Sequence, residues 1–239
     1  MRPSGQQWTT LPALRAGHHN EFRNLEPGLT GVATQPTFAI GQRGLLVQTP
    51  SGNLLWDCVS LLDETTTDTI MALGGIDAIA ISHPHFYSSM IEYSRTFNAP
   101  VFLHAADRHW VQRPDPAITF WEAEQQPLLE TLTLVRTGGH FAGSTVLHWP
   151  AGANGRGALL TGDTIHVVAD RRYASFMYSY PNLIPLPAKS VRALVNAIEP
   201  YPFDRLYGGW WDLVIREGAH AAVQRSARRY IAALQADPD

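Results

Sequence analysis

The chain has 239 residues, 45% of them apolar, with 18 basic and 21 acidic side chains and a formal net charge of −3. That near balance gives no global attraction for nucleic acid or an anionic membrane, and the lone cysteine, Cys58, excludes an internal disulfide. No apolar run reaches membrane-spanning length and Met1 to Trp8 lacks the apolar stretch of a secretory signal, so a cytoplasmic protein with one domain over residues 1–239 is expected.

Residues 1–27 mix polar and apolar types and read as an irregular lead-in with His18 and His19 solvated. From Thr37 short apolar runs alternate with Gly, Pro and Asn signals, which predicts consecutive antiparallel strands at Phe38–Ile40, Leu45–Val47 and Leu54–Trp56. Asp63 or Thr65 caps a predicted helix through Met71, and Gly74-Gly75 ends it before a strand over Ala78–Ile81. A helix over Ser88–Phe97 and a strand over Val101–His104 complete a strand–helix–strand unit. Strands follow at Leu132–Val135, Thr145–His148 and Ala158–Leu160, then a helix near Lys189–Ile198, a strand near Leu206 and a final helix from about Gly218 to Leu234.

One internal echo stands out. Leu45 to Gly52 leads through Leu54-Leu55 to Asp57, and Thr145 to Gly152 leads through Leu159-Leu160 to Asp163. Each reads as a hairpin with Pro-x-Gly at the turn and an aspartate closing the second strand.

The chemistry sits where such strands end. In Ser82-His83-Pro84-His85 two imidazoles lie one residue apart just past an apolar strand. Side chains two apart on a strand project nearly parallel, so convergence on one ion needs a bend, and Pro84 is placed to hold it. Gly138-Gly139-His140 follows 57 residues after His83, and Gly162-Asp163 follows 23 residues after His140. Three imidazoles and a carboxylate form a ligand set suited to zinc.

In order and interval these segments resemble the metallo-β-lactamase superfamily, whose first motif reads H-x-H-x-D-H and is followed by Gly-His, Gly-Asp and late Gly-His motifs. The resemblance runs from about Thr30 to the end. It implies an αββα sandwich, an α/β fold of four layers, with His83, His85, His140 and Asp163 around a first metal. Of the ligands of a second metal only Asp163 remains: Tyr87 and Ser88 stand where the first motif has Asp and His, and Trp210 where the late motif has His. A phenol with an ordinary pKa of about 10, a serine hydroxyl and a donor-only indole are poor substitutes. One zinc ion is therefore expected, with iron or manganese open to the same ligands.

The resemblance also places Asp57 behind the metal loops as a supporting carboxylate, a buried or capping carboxylate being the equal alternative. Tyr87, Ser88, His104, Trp210 and Trp211 are candidates for a substrate pocket, and core packing is the competing role of the aromatic residues. His104, His148 and Asp212 are candidates for restoring a second metal, while His104 and His148 also fit as hydrogen-bonded structural histidines. Arg171 and Arg172 either steer an anionic substrate or form a solvated turn. Cys58 reads as a small buried residue.

Function turns on Asp163. Standing off from the ion, it leaves room for a zinc-bound water and becomes the catalytic carboxylate of a hydrolase acting on a small-molecule ester, thioester, lactone, amide or phosphoester. Completing a tetrahedron with the three imidazoles, it closes the site and leaves a non-catalytic protein that binds metal or a small molecule. Oligomeric state and substrate identity are not written in these residues.

Overall fold

The computed structural model describes residues 8–236, and two β-sheets form its centre. The first sheet runs in chain order, β1(His19–Glu26), β2(Leu29–Gln35), β3(Arg43–Thr49), β4(Gly52–Trp56), β5(Ala78–Ala80), β6(Val101–His104) and β7(Ile118–Trp121). Its first four strands pair antiparallel and the pairs from β4 to β7 are parallel. The second contains β8(Gln125–Leu128), β9(Leu132–Arg136), β10(Thr145–Trp149), β11(Ala158–Gly162), β16(Arg205–Gly208) and β17(Val214–Ile215), in the order β17-β16-β11-β10-β9-β8. Two small ribbons, β12(His166–Val167) with β13(Ala174–Ser175) and β14(Met177–Ser179) with β15(Ile184–Pro185), follow β11 in the chain.

Alternation along the strands sorts the apolar side chains into layers. In β4, Leu54 and Trp56 enter a shared core with Leu147, Trp149 and Leu160 of the second sheet. Leu55 between them points the other way, to a cluster with Ile70 of α2(Glu64–Ala72) and Met90, Ile91 and Tyr93 of α3(Met90–Phe97). On the far side, Val146 and Leu159 pack against Val191, Leu194 and Ile198 of α5(Ala188–Ile198) and Ala222 and Val223 of α6(Ala219–Gln235). The layering is helix, sheet, sheet, helix, the four-layer αββα sandwich expected from the sequence.

Local chemistry explains the helix ends. The Asp63 carboxylate accepts from Thr66 N at 2.8 Å and caps α2, while Gly74 and Gly75 take the positive φ that terminates it. The hairpin echo is present as well: β3 pairs antiparallel with β4, β10 with β11, and Asp57 and Asp163 follow the second strand of each pair.

Three expectations need correction. Residues 1–7 lie outside the described residues, but the rest of the expected irregular lead-in holds a short helix, α1(Leu11–Arg15), and the edge strand β1. That strand escapes detection because its inward positions are only half-buried and mostly polar. The apolar run Phe38–Ile40 is a turn, closed by a bond from Gly41 N to Phe38 O, and the strand before it is β2. The helix placed at Ser88 begins two residues later, because a one-turn 3₁₀ helix, Pro84–Phe86, occupies the approach. The remaining short helix, α4(Gly152–Gly155), is an irregular turn between β10 and β11. No helix among the described residues is long and apolar enough to cross a membrane.

Candidate metal centre

Loops at one edge of the sandwich bring four donors together. β5 ends at Ala80, and the chain runs extended to His83 before Pro84 opens the 3₁₀ turn. Proline suits that first position, where an N–H would have no helical partner. The turn supplies the bend anticipated from the sequence and swings His85 back toward His83, with His83 Nε2 and His85 Nδ1 at 3.2 Å. His140 arrives on the loop joining β9 to β10, where Thr137 and Gly138 N–H groups both donate to Ser144 O, and its Nε2 lies 3.5 Å from His85 Nδ1. Asp163 follows β11, its Oδ2 standing 3.6 Å from His140 Nε2 and 4.0 Å from His83 Nε2.

The four ligand atoms lie within 4.8 Å of one another, and among the described residues no other set of three or more His, Cys, Asp or Glu converges in this way. Zinc bonds of about 2.1 Å in a tetrahedron place neighbouring donors about 3.4 Å apart. The separations above bracket that value, so the residues fit such an ion. Of these four separations the two between imidazoles are the shortest and the two to Asp163 the longest. His83, His140 and Asp163 are buried, and His85 alone is exposed.

Each buried imidazole is oriented from behind. His140 Nδ1 donates to Met177 O at 3.0 Å, which leaves Nε2 free to ligate. His83 Nδ1 lies 2.8 Å from Ser82 Oγ, and Asp57 takes both Ser82 donors, the N–H at 2.7 Å on Oδ1 and the hydroxyl at 3.1 Å on Oδ2. With that hydroxyl proton committed to Asp57, Ser82 Oγ accepts from His83 Nδ1, and the Nε2 lone pair faces the cluster. Asp57 is thus linked to His83 through Ser82. Gly162 has to be glycine here: its φ is +53° and a Cβ would come within 2.4 Å of Ser82 Oγ.

Burial, and then the neighbouring His140 and His85, hold the His83 imidazole well below its ordinary pKa. Burial and His140 lower His85 as well, against the pull of Asp163. Both rings are therefore neutral at physiological pH, the form that binds a metal. Burial pushes the Asp57 carboxyl up to about 7, against the two Ser82 bonds and with a smaller push from Asp163. A carboxyl with a raised folded pKa holds its proton more tightly when folded, so the metal-free protein should lose stability as pH rises from about 4 to about 7. A shift of this size corresponds to on the order of 4 kcal/mol. Urea midpoints of metal-stripped protein across that window should fall, and should fall less in Asp57→Asn.

The remaining candidates are dispersed. Tyr87 joins the core under α2 and α3 beside Phe86, its hydroxyl pKa raised by burial and then by Asp107 and Asp57. Ser88 is exposed, and its carbonyl accepts from Arg113. His104 is buried edge-on to Trp121, 4.6 Å between centroids, with its Nδ1 taking Ala106 N–H. His148 bonds Pro202 O at 2.8 Å, a structural role. Trp210 donates its indole N–H to Ile40 O at 2.8 Å, and its ring lies 5.6 Å from that of His166. Trp211 turns away to cover Gly31, its ring under the guanidinium groups of Arg23 and Arg43. Arg171 and Arg172 are exposed, bonded to Val168 O and Asp170 in their own turn. Cys58 is fully buried, as expected.

Two further groups lie near the cluster, and the sequence assigned neither Phe141 nor His166 a place at it. Phe141 packs against all three imidazoles, with centroids at 5.0–5.7 Å, and the exposed Trp110 lies against it at 5.6 Å. His166 brings Nδ1 to 3.7 Å from Asp163 Oδ1, and Tyr180 donates to Asp163 O at 2.9 Å while its ring touches His166. The signal for His166 was its place three residues after Asp163, which a tight turn converts into proximity.

No family model matches the chain. Among curated proteins it is 48% identical over 239 residues to the uncharacterized protein YmaE of Bacillus subtilis (strain 168), a match covering 99% of this chain and 87% of that one. Solved structures of similar shape include the DIM-1 metallo-β-lactamase, with TM-score 0.67, 13% identity and 90% and 98% of the two chains covered. SMB-1, in a complex with mercaptoacetic acid, gives TM-score 0.58 at 16% identity with 87% and 95% covered. A Cronobacter sakazakii metallo-β-lactamase gives 0.56 at 18%, with 93% and 96% covered. With a relative this similar along nearly its whole length, the chain belongs to the family of YmaE, and its sandwich has the fold of the metallo-β-lactamases.

Proposed function

We propose that the protein is a metal-dependent hydrolase that holds one zinc ion tightly and acts on a small molecule with an ester, thioester, lactone, amide or phosphoester bond. The observation that carries this reading is the convergence of His83, His85, His140 and Asp163 within 4.8 Å. His83, His85 and His140 would hold the ion, which supplies Lewis acidity toward an acyl or phosphoryl oxygen and toward water. Asp163 Oδ2, 3.6 and 4.0 Å from the two buried Nε2 atoms, would accept a proton from an attacking water. Phe141, with Trp110 against it, and Tyr180 lie against the imidazoles and would pack the apolar part of a substrate.

The second reading is a closed His3Asp site that staples the loops without catalysis, and the longer separations to Asp163 with the exposed His85 count against it. Asp163→Ala separates the two. A hydrolase should keep most of its tightly bound metal and lose turnover by roughly 10²–10⁴-fold on an ester panel. A staple should lose metal affinity and thermal stability together, read from metal counting and the melting curve of the same preparation.

A further inference from the structure

Arg171 and Arg172 play no part in the metal cluster. Both line a separate cavity of about 600 Å³ between the turn after β12, strand β17 and the start of α6, and it shares no residue with the cluster. Arg216 and Arg225 line it too, so four guanidinium groups meet there, with only the carboxylates of Asp212 and Glu217 among them. The room comes from α6: Gly218, Ala221 and Ala222 share one helix face with Arg225, and three small residues leave space beside the long side chain. Ile215 and Ala222, both buried, give the cavity an apolar floor.

Two of these cations are held in place by the protein itself. Arg225 donates to Arg172 O at 2.7 Å and lies 5.1 Å over the Tyr173 ring, while Arg171 donates to Val168 O at 2.6 Å. Arg172 is neutralised by Asp170 at 2.8 Å. Among the described residues no ion pair reaches Arg171, Arg216 or Arg225, and the Arg216 side chain makes no hydrogen bond. Asp212 also faces Arg23 and Arg43, which dilutes its charge at the cavity. A chain with a net charge of −3 thus gathers unneutralised guanidinium groups around one small space. The first turn of α6 adds to them, since the N–H groups of His220 and Ala221 meet no acceptor among the described residues. Guanidinium is a planar fork that matches phosphate oxygens two at a time, and the volume falls within the roughly 300–1,000 Å³ of small-molecule sites. We propose that this cavity binds a small phosphorylated molecule, its phosphate oxygens held by Arg216, Arg225 and Arg171 and its apolar part resting on Ile215 and Ala222.

Calorimetric titration of inorganic pyrophosphate into the tag-free, metal-stripped full chain tests it, with metal absent so that the anion cannot be captured at the cluster through an ion. Wild type should bind one equivalent, more weakly as salt is added. Arg216→Ala and Arg225→Ala should each weaken binding about tenfold or more, the size expected for losing a hydrogen bond between charged groups. Arg225 also packs on Tyr173, so Arg216→Ala is the decisive variant: its side chain bonds nothing in the protein, and its melting curve should match that of wild type. Arg216→Lys, which keeps the charge and loses the fork, should fall between the two. Arg95→Ala is the control, since Arg95 pairs with Asp115 on another face and should not matter. No binding by wild type, binding that survives both Arg216→Ala and Arg225→Ala, or an equal loss in Arg95→Ala overturns the site, and none of these results bears on the metal cluster.

Discussion

Replacing His83 by alanine should abolish tight metal binding and lower turnover to the level of wild-type protein stripped by a chelator. His83 is the buried hub of the cluster: its Nε2 lies 3.2 Å from the His85 donor and 4.0 Å from Asp163, and its ring also packs against those of His85, His140 and Phe86. Partners that only orient a ligand account for roughly 10–100-fold in metal affinity, so loss of a ligand that two others surround should exceed that range. Competition against a coloured chelator measures the affinity. Melting curves with and without added zinc supply the control: wild type should be stabilised by the metal and His83→Ala should not. Equal zinc-induced stabilisation of the two proteins would remove His83 from the site.

The second large effect comes from a residue that never meets the ion. Asp57→Asn keeps one carbonyl oxygen, which the Ser82 N–H takes, and places an amide donor where Oδ2 received the Ser82 hydroxyl. The hydroxyl proton then turns to His83 Nδ1, 2.8 Å from Ser82 Oγ. That drives the imidazole proton to Nε2 and fills the lone pair the metal needs. Metal affinity should fall about 10–100-fold with the fold unchanged. Nitrogen chemical shifts of His83 in metal-free protein should report the switch from the Nδ1–H to the Nε2–H form. An unaltered tautomer with normal affinity would show that Asp57 serves the backbone alone.

What could be read from the residues was what repeats or what carries distinctive chemistry. The runs Leu45–Val47, Leu54–Trp56 and Ala158–Leu160 announced buried strands because sheets covered on both faces are apolar throughout. His83, His85, His140 and Asp163 were legible through their order and through the glycines beside them, one of which, Gly162, lacks room for any side chain. The strand β1 was not legible, since an edge strand with half-exposed polar positions lacks an apolar rhythm. Nor was the fate of the aromatic residues. Tyr87, Trp210 and Trp211 are equally at home in a core, at a rim or over a guanidinium, and only the path of the chain sends each to one of these places. His166 escaped because proximity to Asp163 arises from a turn and from Tyr180 arriving out of a later ribbon.

Ser82 bonds in two directions at once. Its hydroxyl links Asp57 to His83 on the first sheet, and its carbonyl accepts Thr145 N–H at 2.9 Å from the opening residue of β10 on the second. His83 and His85 come from one slab of the sandwich, His140 and Asp163 from the other. A cation gripped by donors from both would therefore rivet the slabs at their common seam, and prying them apart would mean surrendering the rivet. At a free concentration one hundred times its dissociation constant such an ion adds about 2.7 kcal/mol to global stability, making resistance to unfolding a gauge of metal supply.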